Sequence, residues 1–222
     1  MPGSEAERAA SIYHDARERI EDLMTDADPA AWRADVPACP GWTVRDVVSH
    51  LVAVAQDWVA GSLAGAPTDA QTAEHIRRFD DEDESALLGL WRAAAQGLTE
   101  RARADGLEPP LGDITCHEHD IRSALGRPGA RDAESVRWTA HRLLSALRTP
   151  VPLRVEVEDG QYRAGPAGDA QLLLRTTCFE ATRWRTGRRS PAQLAAMDWT
   201  GDPAPVLDHL CLFGPATVDV IE

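Results

Sequence analysis

A mainly α fold is predicted for this chain: a helical bundle over residues 1–147, then a small α/β domain over residues 148–222. Two patterns carry the prediction. Apolar side chains recur at helical spacing in five segments up to Leu147, as expected of helices with one buried face. Beyond that point "VPLRVEVEDGQYRAG" alternates apolar and polar residues about Asp159-Gly160, which reads as a β-hairpin. With 222 residues, 43% of them hydrophobic, the chain can bury a substantial core.

The first helix spans residues 5–26, with Ala9, Ile12, Tyr13, Ala16, Ile20 and Leu23 on one face. A proline-broken loop follows, in which Pro40 and Trp42 fix the approach to the second helix. That helix opens on a capping box, Thr43 to Asp46, carries Val44, Val47, Val48, Leu51, Val54 and Trp58, and stops near Gly61. Residues 64–80 are polar and are expected to form a mobile excursion. The third helix covers residues 81–104, around Leu87, Leu88, Trp91, Ala94 and Leu98. The fourth, "GDITCHEHDIRSALG", ends on Gly126 with Pro128 just beyond. A fifth runs over residues 132–147. After the hairpin, "AQLLLRTTCFEATRWRTGRRS" reads as a strand then a helix, or as one short helix, and two short helical pieces flank "DWTGDP".

Composition excludes several function classes. A formal charge of −13 argues against electrostatic nucleic-acid binding, which needs a basic footprint. No segment approaches the roughly 18 apolar residues of a membrane-spanning helix, and the first twenty residues contain no apolar run fit for a signal peptide. Cys39, Cys116, Cys178 and Cys211 are widely spaced and form no CxxC pair. A cytoplasmic protein with reduced thiols is therefore expected. The 23 basic residues other than histidine are all arginine, as in chains from GC-rich genomes.

The fourth helix concentrates polar groups. Successive residues rotate by about 100°, so Asp113 and His117 share a flank of the apolar stripe Ile114, Ile121 and Leu125. Asp120 follows one turn on, whereas Thr115 and His119 point away. Glu118 falls on the stripe itself, where a carboxylate needs a partner. On the second helix, His50 sits beside the edge formed by Val47, Val54 and Trp58. His50, Asp113 and His117 make a two-histidine, one-carboxylate set of the kind that leaves a catalytic metal an open position. A solvated charged face and hydrogen-bonded structural histidines explain the same spacing.

"ACPGWTVRDVVSHL", residues 38–51, resembles the signature of the mycothiol-dependent maleylpyruvate isomerase family, a branch of the DinB-like metal-binding superfamily. The fourth helix is similar to that family's E-x-x-x-H-x-x-D-L motif, and "TGRRSPAQLAAMDWTGD" is similar to the end of its C-terminal domain. The resemblance implies a DinB-like up-down four-helix bundle whose metal ligands are His50, Asp113 and His117, with Asp120 orienting a histidine. This chain departs from the motif at Asp113, which is one methylene shorter than the family's glutamate, and Glu118 is the alternative carboxylate. The implied cofactors are a divalent metal, zinc first among the candidates, and mycothiol, the small thiol of actinomycetes. The implied activity is isomerisation or S-transfer on a small electrophile, by a monomer or homodimer. A non-catalytic metal- or ligand-binding protein of the same fold is the alternative. Arg185, Arg188 and Arg189 form either a solvated basic turn or a site for anionic groups of cofactor or substrate; among them Arg188 is the candidate cofactor contact.

Overall fold

The computed structural model describes residues 4–170 and 172–222. The chain divides into two compact units, Met1–Pro128 and Gly129–Glu222. Four long helices build the first: α1 (Glu5–Met24), α3 (Val44–Ala60), α5 (Glu84–Asp105) and α6 (Leu111–Ala124). Each packs on two others, in the cyclic order α1, α5, α3, α6. Their apolar stripes meet in a core that includes Tyr13, Ile20, Leu51, Leu87, Trp91, Leu98, Ile114 and Ile121, all essentially inaccessible to solvent. Even the polar ends of the large aromatics are used, since Trp91 Nε1–H donates to the Tyr13 hydroxyl at 3.1 Å. The expected four-helix bundle is therefore present.

Local signals explain the ends of these helices. Ser4 with Glu7 and Thr43 with Asp46 form complete capping boxes at α1 and α3. Gly61 and Gly106 end α3 and α5 in the left-handed conformation that favours glycine. Two short helices fall in segments expected to be loops, α2 (Pro29–Trp32) and α4 (Asp69–Arg77). The second replaces the expected excursion at residues 64–80. Thr68 and Gln71 form a capping box that starts α4, and the helix packs on α3.

The second unit contains α7 (Glu134–Ser145), β1 (Leu153–Val157), β2 (Gly160–Ala164), β3 (Leu172–Arg175), α8 (Cys178–Arg185), α9 (Pro191–Ala195) and β4 (Asp198–Thr200). The sheet order is β2-β1-β3-β4, with β1 and β3 parallel and both edge pairings antiparallel. The hairpin appears as expected, and "LLLR" and "CFEATRWR" resolve into strand then helix. The "DW" of "DWTGDP" begins an edge strand rather than a gap between helices. The units divide after Pro128 and not at residue 147, because α7 packs on α8 and β2. Val136, Ala140, Leu144 and Leu147 are buried in one core with Leu153, Val155, Leu174 and Trp184. No helix among the described residues is long and apolar enough to cross a membrane.

Candidate metal centre

The turn before α3, and α3 itself, meet α6 along the face that carries Asp113, His117 and Asp120. The Cys-Pro-Gly-Trp turn closes with Trp42 N–H donating to the Cys39 carbonyl at 3.0 Å. Gly41, at φ 84°, takes the position in this turn where a side chain is disfavoured. The turn leads directly into the Thr43 cap, so the pitch of α3 and the placement of Trp42 are set together. Trp42 then lies over both histidines, stacked on His117 at 6.2 Å and 16°, and tilted towards His50 at 5.3 Å.

His50 and His117 turn the same ring nitrogen towards one carboxylate. His50 Nε2 lies 3.4 Å and His117 Nε2 3.6 Å from Asp113 Oδ1. The three ligand atoms are all within 4.8 Å of one another. His50 and His117 are buried, and the Asp113 side chain is 25% exposed.

The opposite ring nitrogens are held as well. His117 Nδ1 is 3.0 Å from Asp120 Oδ2, an oxygen that also accepts from the Cys39 thiol at 3.5 Å. A carboxylate only accepts, so Asp120 places the proton on His117 Nδ1 and leaves the Nε2 lone pair facing Asp113. His50 reaches the same state through a longer chain. His75, wholly buried on α4, has Nε2 3.0 Å from Asp57 Oδ2 and Nδ1 3.4 Å from His50 Nδ1. With the His75 proton on the Asp57 side, its Nδ1 is placed to accept from His50 Nδ1–H, the tautomer that a cation between His50 Nε2 and Asp113 would select. Asp57 is anchored in turn by a bidentate contact from Arg78, at 2.9 and 3.0 Å.

The electrostatics suit this arrangement. Burial pushes His75 down, which favours its neutral ring. Desolvation pushes Asp57 up, but the Arg78 hydrogen bonds and charge, with His75, outweigh it and hold the carboxyl below its usual range.

The other sequence candidates lie as follows. Glu118 faces away from this cluster. Its oxygens accept from Arg19 Nε and Nη2, at 2.8 and 2.7 Å, and from Arg122 Nε, at 3.1 Å. The stripe position that needed a partner has two arginines. His119 and Thr115, expected to point away, are buried because α6 is covered on nearly every side. Arg188 belongs to the second unit, where its guanidinium donates to the Thr186 carbonyl at 2.7 Å. Arg185 donates to the Leu210 carbonyl, and Arg189 holds Glu180 and Glu222.

Sequence reasoning missed His75, Asp57 and the Cys39 thiol. One signal was available: Asp57 is seven residues after His50, two turns along the same face of α3.

A helical bundle holding two inward-turned histidines and a carboxylate defines a candidate metal-binding protein of the four-helix class. The chain belongs to the mycothiol maleylpyruvate isomerase N-terminal domain family, whose model matches residues 13–183. Among solved structures it is similar to the mycothiol-dependent maleylpyruvate isomerase, with 14% identity over 85% of this chain and 92% of that one, at a TM-score of 0.52. A histidine-to-alanine mutant of that isomerase aligns at 13% identity over 84% and 92% of the two chains, again at 0.52. At this identity the likeness shows the fold. No curated protein matches the chain significantly.

Proposed function

We propose that this chain is a divalent-metal- and mycothiol-dependent isomerase or S-transferase acting on a small electrophile. The observation that carries the proposal is the convergence of two histidine Nε2 atoms on Asp113 Oδ1, in a chain of this family. Two imidazoles and a carboxylate fit zinc and other borderline cations and leave room for an exogenous ligand. When bound, such a cation lowers the pKa of a thiol brought to it, making the thiolate nucleophile available near neutral pH.

The chain's own side chains do the rest. Asp120 and His75 are placed to accept hydrogen bonds from the two Nδ1–H groups, so neither ring has to rotate to present Nε2 to a cation. Trp42 covers both rings and keeps water from their faces. Asp113, the most exposed of the three, marks the side from which a thiol approaches. The experiment that tests the reading is titration of the cobalt-substituted protein with mycothiol, followed by assay on maleylpyruvate. The expected result is a perturbed cobalt spectrum and thiol-dependent turnover. A cobalt spectrum indifferent to mycothiol would sink the enzyme reading and leave a metal-binding protein.

His75→Phe keeps a ring in the cavity but deletes the acceptor for His50. Metal affinity is expected to fall roughly 10–100-fold, as measured by competition with a chromophoric chelator. An unchanged affinity would show that His50 needs no partner.

A further inference from the structure

The second unit contains another convergence of donor groups. His141 on α7 directs Nε2 to Asp159 Oδ2 at 3.3 Å, on the turn between β1 and β2. Cys178, the first residue of α8, places Sγ 3.6 Å from Asp159 Oδ1. One nitrogen, one carboxylate oxygen and the sulfur all lie within 4.8 Å of one another. The Tyr162 hydroxyl meets His141 Nδ1 and fixes the ring with Nε2 towards the cluster.

We infer that His141, Asp159 and Cys178 form a second metal site, selective for a thiophilic cation of the zinc class, which clips α7, the hairpin turn and α8 together. Ideal tetrahedral zinc, with bonds of about 2.0–2.1 Å to nitrogen or oxygen and about 2.3 Å to sulfur, separates neighbouring ligands by about 3.3–3.6 Å. The observed contacts of 3.3 and 3.6 Å match those edges. They use different oxygens of Asp159, so the carboxylate must turn for one oxygen to serve the cation.

The surroundings favour a cation. The cluster borders a cavity of about 480 Å³ on whose walls Asp132, Glu158, Asp159 and Glu180 outnumber Arg131 and Arg137. This cavity provides the entry path. A thiolate–imidazole pair selects zinc, cobalt or cadmium over magnesium or calcium. The ligands come from positions 141, 159 and 178, so a cation here crosslinks separate elements of the unit.

The test is a Co²⁺ titration of a His50→Ala/His117→Ala chain, in which the bundle cluster is disabled and no thiol cofactor is added. One equivalent is expected to bind with a thiolate-to-cobalt charge-transfer band in the near ultraviolet. Adding Cys178→Ser is expected to abolish the band. His141→Gln is expected to weaken binding at least tenfold while the band persists at saturation, and circular dichroism checks the fold of each variant. The absence of a charge-transfer band in the double variant would overturn the site, as would a band that survives Cys178→Ser. Should Cys178→Ser not fold, an affinity unaltered by His141→Gln overturns it equally.

Discussion

Replacing either His50 or His117 by alanine is expected to strip the bundle cluster of its metal. In the proposed centre each imidazole supplies one of three donors, and no other side chain of the cluster stands in the same position. The neighbouring donors are on the outer side of the rings: Cys39 Sγ lies 3.9 Å from His117 Nδ1, and His75 Nδ1 lies 3.4 Å from His50 Nδ1. The loss in affinity should therefore exceed the roughly 10–100-fold that follows removal of a group which only orients a ligand. Metal analysis after dialysis, run on wild type beside both variants, decides the matter. Equal metal in the three proteins, once any at the His141, Asp159 and Cys178 cluster is subtracted, would eliminate the proposed centre.

Glu118→Ala is expected to destabilise the protein by roughly 3 kcal/mol, at the lower end of the cost of breaking a buried ion pair. The carboxylate is inaccessible to solvent, whereas Arg19 is 28% and Arg122 13% exposed. The abandoned guanidinium groups can recover some hydration, which places the figure at the lower end. Denaturant unfolding measures it, and a loss below about 0.5 kcal/mol, the size of an ordinary surface change, would contradict the assignment. Glu118→Gln adds a sharper comparison. If Asp113 supplies the carboxylate, the glutamine variant keeps its metal while losing stability. If Glu118 supplies it, metal is lost.

The long helices were legible in the sequence because each has one apolar stripe and explicit stops. Thr43 with Asp46, Gly61 and Gly126 each occupy a helix terminus near the expected place. The pairing of Asp113 with His117 followed from helical spacing alone. The rest was hidden for identifiable reasons. Helix α4 buries one side chain, His75, so it offers no apolar period to detect. The rotation rule assumes a helix half covered by its neighbours, and α6 is covered nearly all round, which is why His119 and Thr115 escaped it. Periodicity also reports that a helix has a buried face without naming the partner. That is how α7 was grouped with the bundle while its stripe packs against the sheet of the second unit. Whether Asp113 or Glu118 stood beside the histidines depended on where Arg19 and Arg122 reach, and Arg19 is ninety-nine residues from Glu118 along the chain.

The position of His75 has a thermodynamic consequence. It reaches His50 only while α4 rests on α3, held there by the grip of Arg78 on Asp57. If the proposed centre takes a cation at His50, the free energy of seating that nine-residue helix and the free energy of binding the cation are therefore linked. By reciprocity, each strengthens the other by the same factor. A short polar helix with almost no core of its own would thus become the part of the bundle through which occupancy of the proposed centre is felt at the surface.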